Sequence, residues 1–171
     1  MDIKEAYRYC PRCGAKFNKQ PGHLQCPDCG LSYYLNSKPV QSVILKNEKD
    51  EYLFVVRSVE PRKGYLDFPG GFVEEGENFE DSSRREIREE IGIDIGGLEY
   101  LSTHADEYLY QGINYKVSGI TYLGVLPKNV EFKPADDVES CELYRLSDIP
   151  MSRLAWPSMH EMIANLKAKF E

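Results

Sequence analysis

The stretch GFVEEGENFEDSSRREIREEIGI, Gly71 to Ile93, decides the reading of this chain. Within it Glu86, Glu89 and Glu90 stand at i, i+3 and i+4, offsets that share one face of a helix. Like charges at such spacing cost about 0.2–0.5 kcal/mol per pair even in solvent. A hard divalent cation removes that repulsion and takes the carboxylates as oxygen ligands, which points to Mg²⁺ or Mn²⁺ and to phosphate chemistry. The competing reading is a solvated acidic helix face, and the flanks argue against it. Phe68-Pro69-Gly70-Gly71 ends a short apolar run from Tyr65 with strong turn residues. A loop closed by Gly76 follows, and the helical pattern starts near Asn78 or Glu80. Phe79, Ser83, Ile87 and Ile91 recur every four residues as the stripe facing a core. Gly92 then stands where a left-handed helix stop belongs. The predicted unit is strand, glycine loop, short helix and glycine stop, with the acids off the core stripe.

A second pattern lies near the N-terminus. Cys10-Pro11-Arg12-Cys13-Gly14 and Cys26-Pro27-Asp28-Cys29-Gly30 are two copies of C-P-x-C-G. Each turn offers two thiolates to one tetrahedral ion, and the glycine lets the backbone point amides at sulfur. Cys10, Cys13, Cys26 and Cys29 therefore read as a structural Zn²⁺ ribbon, with no coordination position left for water. Disulfides are the weaker reading, because Met1 to Tyr9 has no apolar secretory core. Cys141, in an apolar strand pattern, reads as a small buried residue, and His23 as loop.

Working outward, 171 residues support one ordinary domain plus a small appendage whose stability the metal would supply. The boundaries read as a ribbon over residues 1–36 and a main domain over 37–171. Val40 to Leu45 and Glu51 to Arg57 read as strands joined by a charged turn. Leu98 to Ser102, Tyr108 to Tyr110, Tyr115 to Leu126 and Cys141 to Leu146 read as further strands, with a turn at Gln111 to Asn114. Pro157 opens a last helix whose stripe is Met159, Met162, Ile163, Leu166 and Phe170.

The segment from Gly71 resembles the Nudix box, G-x5-E-x7-R-E-U-x-E-E-x-G-U with U aliphatic. Gly71, Glu77, Arg85, Glu86, Ile87, Glu89, Glu90, Gly92 and Ile93 all match. The resemblance implies an α+β fold, an α/β/α sandwich around a mixed sheet. It also implies a hydrolase of nucleoside diphosphates linked to another moiety, such as ADP-ribose, NADH or FAD. Its catalytic metal, Mg²⁺ or Mn²⁺, would sit on Glu86, Glu89 and Glu90, with the Gly71 carbonyl adding a ligand. Glu77 and Arg85 would pair and brace the loop. The general base differs among Nudix subfamilies, being a box glutamate or an acid of a downstream loop. Here that loop offers Asp136, Asp137 and Glu139, of which Asp137 is the favoured candidate; the alternative for it is a solvated turn. The order of ribbon and box resembles the zinc-containing NADH pyrophosphatase-like group. That group's S-Q-P-W-P-F-P signature after the box has no counterpart between Ile95 and Tyr108.

Substrate contacts are less legible. Arg57, at a strand end, is the candidate for phosphate. Tyr108 and Tyr115 are the candidates for a base or ribose, against the plainer reading of strand-face tyrosines. A net charge of −7 argues against broad affinity for long nucleic acid, leaving a small nucleotide diphosphate as the expected partner. No run of apolar residues is long enough for a membrane span. Reduced cysteines and the absence of an export signal lead to the expectation of a cytoplasmic protein. A homodimer is compatible with the family but no residue requires it. The competing functional class is a ribbon and Nudix module that senses a ligand, or docks protein or RNA, without hydrolysis.

Overall fold

The computed structural model describes residues 1–170, so the last residue of the expected main domain, Glu171, lies outside the described residues. The chain divides into two compact units. The first holds Met1–Lys38 and Glu107–Val117, the second Pro39–Asp106 and Ser118 onward.

In the first unit a one-turn helix α1 (Ile3–Ala6) is capped by the Asp2 carboxylate, which accepts from Lys4 N–H. Strands β1 (Asn18–Gln20), β2 (His23–Gln25) and β3 (Ser32–Tyr34) form a small antiparallel sheet in that order. Its core is minimal: Cys10, Phe17, Leu24 and Cys26 are buried, and Tyr33 stacks on Tyr7 and Phe17. At ~1.5–3 kcal/mol per fully buried large side chain, so few residues cannot offset the ordering of the rest of Met1–Lys38 and Glu107–Val117.

The second unit is built on β4 (Lys38–Lys46), β5 (Tyr52–Arg57), β6 (Leu66–Asp67), β7 (Gly70–Phe72), β8 (Glu99–Tyr110), β9 (Ile113–Val125) and β10 (Val138–Tyr144). The main path runs β10-β5-β4-β9-β8, with β6 on β5 and β7 on β4. Alternation along the central strands assigns their two faces. Ile44, Tyr52, Phe54 and Val56 point to one core, where α3 (Ser158–Phe170) contributes Met159, Met162, Ile163 and Leu166. Val43, Leu45, Leu53 and Val55 point to the other, where α2 (Phe79–Ile91) contributes Ile87 and Ile91. A mixed sheet between two helical layers results, an α+β sandwich as expected.

Two strands expected as separate, Leu98–Ser102 and Tyr108–Tyr110, are one continuous strand, β8. The alternation persists between them, but its inner positions are His104, Asp106 and Tyr108, which hide an apolar pattern. Gly119 makes room for the histidine: a Cβ there would lie 2.3 Å from the His104 ring. The β8–β9 turn is tighter than expected, because Gln111 and Gly112 both take positive φ, and its tip belongs to the first unit. Phe170, expected in the α3 stripe, is half exposed and lies under the Lys46 ammonium at 4.7 Å.

Candidate active site

Two glycines set the geometry around α2. Gly70 and Gly71 lie on β7, opposite Ser42 and Gln41 of β4. A Cβ on Gly70 would fall 2.2 Å from the Gln41 carbonyl oxygen, and its φ of 148 excludes ordinary side chains. A Cβ on Gly71 would fall 2.5 Å from Glu86 Oε1. The glycine turn therefore brings backbone against the first box acid. The Gly70 N–H also donates to Glu90 Oε2 at 3.0 Å, which ties the turn to the last turn of the helix.

The helix is fixed at both ends. The Asn78 side chain accepts from Asp81 N–H, and Gly92 closes the C-terminus in the left-handed region. Buried Ser83 donates to Gln41, so a polar seam as well as Ile87 and Ile91 docks α2 on the sheet. Glu90, expected off the core stripe with the other acids, is instead on this inner side, only 4 % exposed, because Gly70 N–H offers its carboxylate a partner there.

Arg85 organises the outer side. It grips Glu77 through two parallel bonds of 2.8 and 3.0 Å, the planar fork geometry that carboxylates match. Its remaining amino group donates to Glu86 Oε1 and Glu89 Oε2, both at 2.9 Å, and it also reaches the Phe72 carbonyl. The pairing holds Glu77 down to about 2. The expected Glu77–Arg85 brace is thus present and extends to two of the three acids.

The downstream loop arrives by backbone bonds. Lys133 N–H donates to the Ile91 carbonyl and Ala135 N–H to the Glu90 carbonyl, capping the end of α2. Asp136 takes a positive φ, and Asp137 follows, its charge acting on Glu90 and Glu86. Burial, then the charge of Asp137, then that of Glu86, raises Glu90 well above the ordinary carboxylate range. Burial likewise raises Glu86.

A family model described as the NUDIX domain matches residues 37–166, and one described as the NADH pyrophosphatase zinc ribbon domain matches residues 5–34. The chain belongs to the NUDIX family. The NAD-capped RNA hydrolase NudC of Pseudomonas aeruginosa (strain LESB58) is 37 % identical over 98 residues, which are 56 % of this chain and 34 % of that protein. The chain spans about a third of the length of the curated relatives it matches. Among solved structures, a NUDIX hydrolase from Nitrosomonas europaea superposes with a TM-score of 0.75 at 22 % identity, covering 91 % of this chain and 88 % of that one. The NUDIX domain of Shewanella oneidensis NrtR complexed with ADP ribose superposes with a TM-score of 0.66 at 18 % identity, covering 80 % and 90 %. Both structural likenesses establish the fold.

Within this NUDIX unit, the box acids fit a hard divalent cation by their chemistry. Each spends one oxygen on a hydrogen bond, while Glu86 Oε2, Glu89 Oε1 and Glu90 Oε1 carry none among the described residues. Burial first, and then the charge of neighbouring carboxylates, raises Glu90, and the charge part is what a cation would relieve. The three are nevertheless not drawn together as the cysteines are, because Arg85 holds Glu86 and Glu89 while Glu90 turns to Gly70.

In the ribbon, the four cysteine sulfurs all lie within 4.8 Å of one another. Cys10 to Cys29 is 3.6 Å and Cys13 to Cys26 is 3.5 Å. These are free thiols, far beyond the ~2.0 Å of a disulfide and close to the ~3.8 Å edge of a zinc–thiolate tetrahedron. Backbone amides of Cys29 and Asp28 pull Cys26 down to about 7, while its hydrogen-bonded partner Cys13 is raised, so the thiols share their protons. Cys141 is the opposite case: burial pushes it up to about 11, as suits an inert packed thiol.

Arg57 departs from its expected role. Its guanidinium is buried and committed: Nε donates to Pro61 carbonyl at 2.9 Å, Nη1 donates to Asp67 Oδ2 at 3.2 Å, and it stacks over Trp156. Asp137 Oδ2 is 3.9 Å away. The physical reason is Asp67, a carboxylate inside the apolar run before the turn, which needs a partner when buried. Asp67 also accepts from Trp156 Nε1 at 2.6 Å and from Phe68 N–H, and burial raises it to about 6 despite Arg57. Asp67 and Trp156 were missed as site-forming residues; an acid in the apolar run Tyr65–Phe68 was the available signal. Tyr108 and Tyr115, expected at the substrate, fall in the first unit, where Tyr108 pairs with the Tyr110 ring.

Proposed function

We propose that this protein hydrolyses the diphosphate bridge of a nucleoside diphosphate joined to another moiety, of the ADP-ribose, NADH or FAD type. The observation that carries this reading is the Gly70–Gly71 turn, which lies against Glu86 and bonds Glu90, while each box acid keeps an uncommitted oxygen. Glu86, Glu89, Glu90 and the Gly71 carbonyl would hold Mg²⁺ or Mn²⁺. When bound, that ion neutralises phosphate charge and acidifies water. Arg85 keeps Glu86 and Glu89 oriented and Gly70 N–H keeps Glu90 so. Asp137 accepts a proton from the attacking water as the new phosphorus–oxygen bond forms and the bridging bond breaks. Arg57 acts behind it, fixing the loop acid against β5 rather than touching phosphate. The curated relatives are named as NAD-capped RNA hydrolases, and NAD carries a bridge of this class, so a capped strand falls within the proposed substrates.

Cys10, Cys13, Cys26 and Cys29 hold a structural Zn²⁺ in this reading, and an all-thiolate site suits a reducing compartment such as the cytoplasm. No helix among the described residues is long and apolar enough to cross a membrane. The test is a panel of dinucleotides and nucleotide sugars incubated with Mg²⁺, with products separated by chromatography. Cleavage of at least one member is expected, with a loss of about 100-fold in Glu89→Gln or Glu90→Gln. Mn²⁺ titration followed by spin resonance should show the same variants binding less metal. A blank across the panel from folded, zinc-loaded protein would instead favour a ligand-sensing module.

A further inference from the structure

The chain's net charge conceals a segregation. Of 21 Lys and Arg and 28 Asp and Glu, the first unit holds 7 against 4, leaving 14 against 24 for the second. Fields are screened within about 8–10 Å in physiological salt, so a ligand at the first unit meets local charge rather than the sum. That unit contains an open cleft of about 400 Å³ lined by Lys4, Arg8, Lys16 and Lys19, with Glu5, Tyr7 and Phe17. None of the four cations is ion-paired among the described residues, although the Arg8 Nε donates to the Glu5 carbonyl. Four uncompensated cations against one acid make a poor packing solution and a good anion site. Tyr9 stands directly opposite Lys16 in an antiparallel bridge, so both side chains leave the same face. Its ring is 64 % exposed, an unusual cost for a tyrosine with no partner to cover.

We propose that this cleft binds the backbone phosphates of single-stranded nucleic acid, with Tyr9 stacking on a base beside them. Cations that track a backbone next to an exposed ring are the ingredients of sequence-tolerant strand binding. The proposal goes beyond the hydrolytic reading and does not rest on it, because it concerns a strand with no diphosphate.

The experiment uses the full, zinc-loaded chain and a short fluorescent oligoribonucleotide with a 5′ hydroxyl, followed by anisotropy across a salt series. Binding is expected with a log–log salt slope of about −3, from four contacts on a single strand. Exposed Lys16 and Lys19 changed together, K16E/K19E, should weaken it at least about tenfold and flatten the slope. Tyr9→Leu should weaken it about fivefold with the slope unchanged. Zinc content and circular dichroism of both variants should match the parent. Absence of binding at low salt, or equal binding by K16E/K19E, overturns the proposal. So does displacement by inorganic phosphate or a polyglutamate peptide at constant ionic strength, which would mark a general anion site. Glu89→Gln should bind the strand like the parent, which separates this outcome from failure of the hydrolase reading.

Discussion

The ribbon cysteines and the NUDIX box acids are arranged on opposite plans. In the ribbon the four sulfurs already surround a common point, while in the box an arginine stands among the acids and shares their oxygens. The difference follows from what supports each site. The ribbon's apolar core is a few residues, two of them the cysteines themselves, so its fold and its metal site are one structure. The box rides on a helix packed against a large sheet, so the protein can keep mutually repelling acids in place by bracing them with Arg85. The cysteine sulfurs converge on one point, whereas each box acid leaves an oxygen uncommitted.

Stripping zinc from the reduced protein should break the comparison most visibly. Amide hydrogen exchange should show Met1–Lys38 losing protection while α2, β5 and α3 keep theirs, because zinc–thiolate binding is worth about 10–16 kcal/mol to such a fold. A ribbon that stays protected would mean its core suffices alone. Arg57→Ala comes next in size. It leaves buried Asp67 without its cation and should cost about 3–5 kcal/mol in urea unfolding. Asp67→Asn, which removes the charge instead, should cost much less; equal losses would show that Arg57 packs rather than pairs. The smallest effect tests the brace by pH. Glu77 is held to about 2 in the folded protein, below its ordinary value of 4.5. Its contribution is therefore complete above pH 4.5 and lost as pH falls toward 2. Glu77→Gln should lower stability at neutral pH and flatten that acid limb. An unchanged acid limb would show that the Arg85 fork does not stabilise the fold.

Local chemistry was legible along the chain because it depends on neighbours a few residues apart. The α2 stripe, its Gly92 stop and the two cysteine turns all rest on such spacing. The Arg85 brace was legible for a different reason, the resemblance of the box to its family. The partners of Arg57 were not legible because they are not its neighbours: Asp67 is ten residues on, and Trp156 meets Asp67 across 89. The β8 strand was split for a related reason, since His104 faces inward only where Gly119 on the adjoining strand leaves space.

Residue order alone thus determined which acids share a helix face, where the backbone must turn on glycine, and which thiols can meet one ion. These follow from dihedral limits and helical or turn periodicity. Tertiary packing alone decided that Arg57 faces inward and that the loop before Asp137 is bonded to the end of α2 at Glu90. Those outcomes depend on desolvation and charge pairing between segments far apart in the chain, and no short window of sequence contains both members of the pair.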